Sequence, residues 1–283
     1  MRLKIAYNFF IVLCAIGMGS CTKQNPVPSL ENTSSNKEVS QEIVPIESTT
    51  KMVEITGGKY MPFYSADDSL VFVASFLMDE TLVTNQDFLE FVKANPAWRK
   101  SNIKTIYTDS TYLRDWVSDT VLPKGSNPNA PVCFVSWFAA KAYAKAVGKR
   151  LPTMDEWEYV AMADETEPNA RGKSSYSNNI LNSYLIKDRQ LKAVKQSKPN
   201  YWGVYNMFDL VWEWTDDFNS IMVSGESRDG GNGDKNLVCA AGATNATDVM
   251  NYSAFMRFGL RTSLKANYTV ANLGFRCVKE IEK

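Results

Sequence analysis

The sequence predicts one domain that mixes short β-strands with helices, and three stretches carry that expectation. In residues 131–158, PVCFVSWFAAKAYAKAVGKRLPTMDEWE, the apolar run 132–135 suits a buried strand and leads directly into an alanine-rich helix. Residues 52–55, Met-Val-Glu-Ile, alternate as a half-buried strand does. Trp212 and Trp214 flank Glu213 with the two-residue period of a strand that buries indole rings, which argues for core packing over sugar stacking.

Composition narrows the chemistry. With 283 residues, 45% of them hydrophobic, the chain can bury one sizeable core. Basic and acidic residues balance at 31 each, and residues 1–20 carry two of the basic ones, Arg2 and Lys4, and no acid. Nothing in that balance favours a nucleic-acid partner. The sequence has no histidine, so a Ser-His-Asp triad, a Cys-His pair and a histidine-ligated zinc or iron site are all excluded.

Taken in order, residues 1–20 read as an export signal, with Arg2 and Lys4 at the start and an apolar centre over 9–16. The segment is short for a membrane span. It ends in Gly-Met-Gly-Ser before Cys21, which is similar to a bacterial lipobox, so Cys21 is the expected lipidated residue and the expected location is a bacterial membrane surface outside the cytoplasm. An ordinary signal peptide cleaved nearby is the alternative. Residues 21–50, rich in Ser, Thr, Asn, Glu and Pro, bury too little apolar surface to repay ordering and are expected to form a flexible linker.

The folded domain is expected over 51–283. Gly57-Gly58 makes a turn after the first strand, and 72–78 reads as another strand. Thr84 is placed to cap a helix whose apolar face includes Phe88, Phe91 and Val92. Residues 95–130, with Trp98, Tyr107, Tyr112 and Trp116, read as a long packed loop that could shape a surface groove. Ser136 caps the alanine-rich helix and Gly148 ends it in the left-handed conformation. Thr153 with Glu156 forms a capping box for the next helix. Residues 164–199 are poorly patterned. Residues 224–236 read as a solvent-facing Gly/Asp turn, because their spacing does not match an EF-hand loop. Arg257, Arg261 and Arg276 are expected to hold carboxylates and carbonyls within the fold, with an anionic ligand as a secondary reading.

Four stretches carry a family resemblance: DETLVTNQDFLEFV, VSWFAAKAYAKAVGKRLPTMDEWEYVA, NYWGVYNMFDLVWEWTDDF and LGFRCV. Together with the Gly-Gly turn they span nearly all of 52–278 and resemble the formylglycine-generating enzyme, or sulfatase-modifying factor, family. The resemblance implies an α+β, lectin-like (C-type-lectin-type) fold in which short twisted sheets are flanked by two main helices. It also implies an active site in which a Cys-x4-Cys pair binds copper(I) and oxidises a substrate cysteine to formylglycine. Counting back without gaps from Cys277 through Arg261, that pair falls on Asp248 and Ser253. Oxygen donors are hard and suit copper(I) poorly. The family's calcium sites are altered as well. Leu210 stands where an oxygen ligand is usual, which leaves Glu213 an unpromising calcium ligand by itself.

Three cysteines remain in the domain: Cys133, Cys239 and Cys277. Cys239 and Cys277 lie on predicted strands, and in an oxidising compartment a disulfide between them is the leading expectation, with Cys133 buried and free. The alternative makes Cys239 and Cys277 a rearranged soft-metal or catalytic site, with copper as cofactor. Three functions follow. The first is a non-catalytic accessory or interaction protein that meets an envelope protein partner and is held to the membrane by lipid on Cys21. The second is an active copper-dependent oxidase acting on an exported sulfatase-type substrate. The third is a glycan- or peptide-binding module using Trp98 and Trp116.

Overall fold

A computed structural model describes residues 42–63, 69–184, 191–219 and 252–282. Among these residues the α+β expectation holds: three small sheets and five α-helices are present, where two main helices were expected.

The first sheet joins β1 (Met52–Ile55), β4 (Phe76–Asp79) and β7 (Val278–Glu280), all antiparallel with β4 in the middle. Val53 pairs with Met78, and Met78 with Val278, so the chain's last strand closes against one of its first. A second sheet pairs β2 (Gly58–Tyr60) with β3 (Val71–Val73). The single strand expected over 72–78 is therefore two, broken at Ala74 and Ser75 as the chain passes from one sheet to the other. Gly57 crosses this break so closely that a Cβ would come within 2.6 Å of the Ser75 backbone nitrogen. Only glycine fits there. A parallel pair, β5 (Trp212–Glu213) with β6 (Leu273–Gly274), completes the sheets.

The helix caps follow local sequence. In α1 (Asn85–Ala94), Thr84 accepts from Asp87 N while the Asp87 carboxylate accepts from Thr84 N. Ser136 caps α2 (Trp137–Ala146), and Gly148 follows its end at φ 67°. Thr153 and Glu156 close the capping box of α3 (Met154–Ala161). Two further helices, α4 (Ser174–Tyr184) and α5 (Tyr252–Ser263), occupy stretches where no helix was expected. The apolar faces of α1 and α2 meet in the main core, where Phe88, Phe91, Tyr143 and Phe275 pack ring against ring at centroid distances of 5.3–6.3 Å.

Two expectations change at the edges of this core. The loop 95–130 is packed, but Trp98, Tyr112 and Trp116 are buried in the core cluster, so Trp98 and Trp116 present no aromatic platform to a glycan or peptide. The last residues of the expected linker also lie on the domain. Val44 N donates to Asn95 Oδ1 at 2.8 Å, Ile46 N to Ala146 O at 2.8 Å, and Lys149 Nζ to Ser48 Oγ at 2.7 Å. A few apolar residues, Ile43 and Ile46 among them, are enough to dock this segment against the α1–α2 core.

Candidate functional site

The strand ends β4, β5, β6 and β7 converge on a buried ionic centre. Arg276 lies between β6 and β7, and its Nε and Nη2 donate to the two Glu213 oxygens at 2.8 and 3.0 Å. Both side chains are wholly removed from solvent. Arg276 Nη2 also donates to the Tyr205 carbonyl at 3.0 Å, so its planar fork ties β5 to the preceding loop. One residue on, Cys277 N donates to Asp79 Oδ2, while Lys149 Nζ donates to Asp79 Oδ1 at 2.5 Å. Burial pushes the Asp79 carboxyl up to about 6, against the opposing pull of Lys149.

The two cysteines among the described residues, Cys133 and Cys277, are both buried. Cys277 lies between β6 and β7 rather than on a strand, and it is a free thiol with no exposed surface. Its expected disulfide partner, Cys239, lies outside the described residues. Burial raises the Cys277 thiol well above the ordinary range, which removes the thiolate that catalysis or copper binding would use. Cys133 is also free and buried, as expected, and burial pushes its thiol up to about 12. Cys21, Cys239, Asp248 and the 224–236 turn lie outside the described residues. Ser253 falls on the first turn of α5.

That helix borders the cavity with the most unusual chemistry. Between α3, β5 and α5 lies a space of about 360 Å³ whose lining includes Trp157, Phe208, Trp212, Arg257, Leu260 and Arg261. Arg257 and Arg261 are four residues apart on α5, so they share one face. Both are buried. Among the described residues neither makes the carboxylate or carbonyl contact expected from sequence. Instead the Arg257 guanidinium stands 5.1 Å from the Phe208 ring centre and 5.6 Å from that of Trp157, and the Arg261 guanidinium stands 4.9 Å from Trp157. Burial, and then the neighbouring Arg257, lower the Arg261 pKa, while Glu158, Asp217 and Glu213 oppose that effect. Among the described residues, Arg276 is the one of the three arginines that acts as an internal clamp. Trp212 is half-buried at the cavity wall, whereas Trp214 is in the core and donates from Nε1 to the Val135 carbonyl at 3.0 Å.

With this geometry in place, the sulfatase-modifying factor enzyme 1-like domain family matches residues 37–281. The chain belongs to this family. It is 30% identical to the formylglycine-generating enzyme of Streptomyces coelicolor over 292 aligned positions, covering 83% of this chain and 91% of that one. It is 26% identical to the inactive C-alpha-formylglycine-generating enzyme 2 of Bos taurus, covering 59% of this chain and 70% of that one. Among solved structures, PvdO from Pseudomonas aeruginosa aligns at a TM-score of 0.46 and 20% identity, covering 81% of this chain and 94% of that one.

At the positions where the thiol pair is expected, Asp248 and Ser253 would offer a copper(I) ion oxygens in place of thiolates. At Glu213 both carboxylate oxygens accept from Arg276, which already supplies the positive charge a calcium ion would bring.

Proposed function

We propose that this chain is a non-catalytic member of the formylglycine-generating enzyme family, exported, tethered to a bacterial membrane through lipid on Cys21, and engaged with a protein partner in the cell envelope. The observation that carries the loss of oxidase chemistry is the burial of two of the domain's three thiols. With Cys133 and Cys277 in the core, a two-thiolate copper site has only Cys239 left to draw on within 51–283. Similarity to an inactive bovine relative supports the same reading. Anchoring and export rest on the basic start, the apolar centre and the small residues before Cys21.

The deciding experiment supplies the purified chain with copper(I), oxygen and a cysteine-containing peptide of sulfatase type. No aldehyde should appear by mass spectrometry, and stoichiometric formylglycine would defeat the proposal. For the anchor, cells fed labelled palmitate should label the wild-type chain and leave Cys21→Ser unlabelled. Equal labelling of both would remove Cys21 from the reading.

A further inference from the structure

We propose that the cavity between α3, β5 and α5 binds a carboxylate carried on an apolar body, with Arg257 and Trp157 as the groups that grip the carboxylate. The proposal stands whether or not the domain retains oxidase activity. It starts from two orphaned donors. Arg257 Nη1 and Trp157 Nε1 are both buried without a hydrogen-bond acceptor, and both residues line this one cavity. A buried donor left unpaired costs about 1–3 kcal/mol, more when charged, so two of them on residues that line one space call for a shared acceptor.

The surrounding charge selects the acceptor. Arg261, one helical turn beyond Arg257, adds a second buried guanidinium, and among the described residues neither arginine forms an ion pair. Glu213 lines the cavity too, but both its oxygens are committed to Arg276. Glu158 and Asp217 offset part of the positive field at Arg261. A planar carboxylate also matches the fork of a guanidinium. The remaining wall is apolar, with Met207, Leu210, Val211, Leu260 and Leu264 beside the Phe208 ring. A volume of about 360 Å³ lies in the range of small-ligand sites and takes one aromatic or branched aliphatic group.

Such a carboxylate could come from a free aryl or alkyl acid or from the C-terminus of a peptide ending in an apolar residue. Titration calorimetry on the full chain separates these, using phenylacetate against phenylacetamide, and Ala-Ala-Phe as the free acid against its amide. At least one acid should bind and its amide should bind about tenfold more weakly or worse, since a hydrogen bond to a charged group contributes about 1.5–3 kcal/mol. Binding of phenylacetate alone, of the peptide acid alone, or of both would each uphold the site and name the source. Arg257→Gln should lose about tenfold in affinity or more, and Trp157→Phe, which keeps the ring and removes only the N–H, should lose several-fold; Lys198→Gln, on the exposed surface, should change nothing. Should Arg257→Gln fail to fold, Trp157→Phe carries the test. Equal binding of acid and amide, no binding of either acid at millimolar concentration, or unchanged affinity in Trp157→Phe would overturn the proposal.

Discussion

Arg276 and Glu213 form a two-pronged ion pair, with Nε–Oε2 at 2.8 Å and Nη2–Oε1 at 3.0 Å, in a place where neither side chain reaches water. The pair joins the β5–β6 sheet to the approach of β7, and it binds two charges that would each be costly to bury alone. Arg276→Met should therefore destabilise the domain by about 3–5 kcal/mol, because Glu213 would be left buried and charged. The double variant Arg276→Met/Glu213→Leu should recover much of that loss. Urea unfolding of the two variants measures the difference, and a double variant no better than the single would show that the pair's geometry, not its charge, is what the fold requires.

The Asp79–Lys149 pair makes a pH-dependent contribution. Asp79 has its carboxyl raised to about 6 by burial, above the value of about 4 in an unfolded chain. Between those limits the folded protein holds a proton that the unfolded chain has released. Asp79's contribution is therefore fully present below pH 4 and is lost as pH rises toward 6, on the order of 3 kcal/mol at most. Asp79→Asn should flatten this part of the stability profile. Denaturant midpoints at half-unit pH intervals in both proteins check it, and a profile unchanged by the substitution would assign the slope to other groups.

The thiols give a labelling prediction. Iodoacetamide added to the native protein at pH 8 should leave Cys133 and Cys277 unmodified, since both are buried and both thiols are pushed up by burial. In denaturant both should react. Peptide mapping reads the result, and rapid native modification of Cys277 would contradict its place in the core.

Gly57 marks the crossing between the two antiparallel sheets. Gly57→Ala would place a methyl group against the backbone at Ala74 and Ser75, atoms that cannot swing aside as a flexible side chain could. A loss of about 1–3 kcal/mol is expected. Thermal unfolding measures it, and a wild-type midpoint would mean the break between β3 and β4 yields more easily than its packing suggests.

Much of the fold is legible in local sequence because local forces decide it. Thr84 with Asp87, Ser136, and Thr153 with Glu156 satisfy backbone donors within three residues, so the three caps can be read directly. The failures have the opposite character. Helix α5 carries a Gly and several β-branched or aromatic residues, and its helical state is settled by where Ala254 and Phe258 pack against Phe63. Residues 43 and 46 sit in a polar stretch whose composition suggests a linker, yet the groove beside α2 receives them.

The sequence by itself determined the family, the mixed class, the helix caps and the absence of histidine. Each of these depends on residue identity or on spacing within a few positions. Only the tertiary structure decided that Cys277 is a sealed core thiol, that Trp98 and Trp116 face inward, and that Arg276 has a carboxylate partner while Arg257 and Arg261 border a cavity with none among the described residues. The physical reason is that burial and pairing of a side chain depend on groups far away in the chain. Arg276 and Glu213 are 63 residues apart, and no local pattern around either one specifies the other.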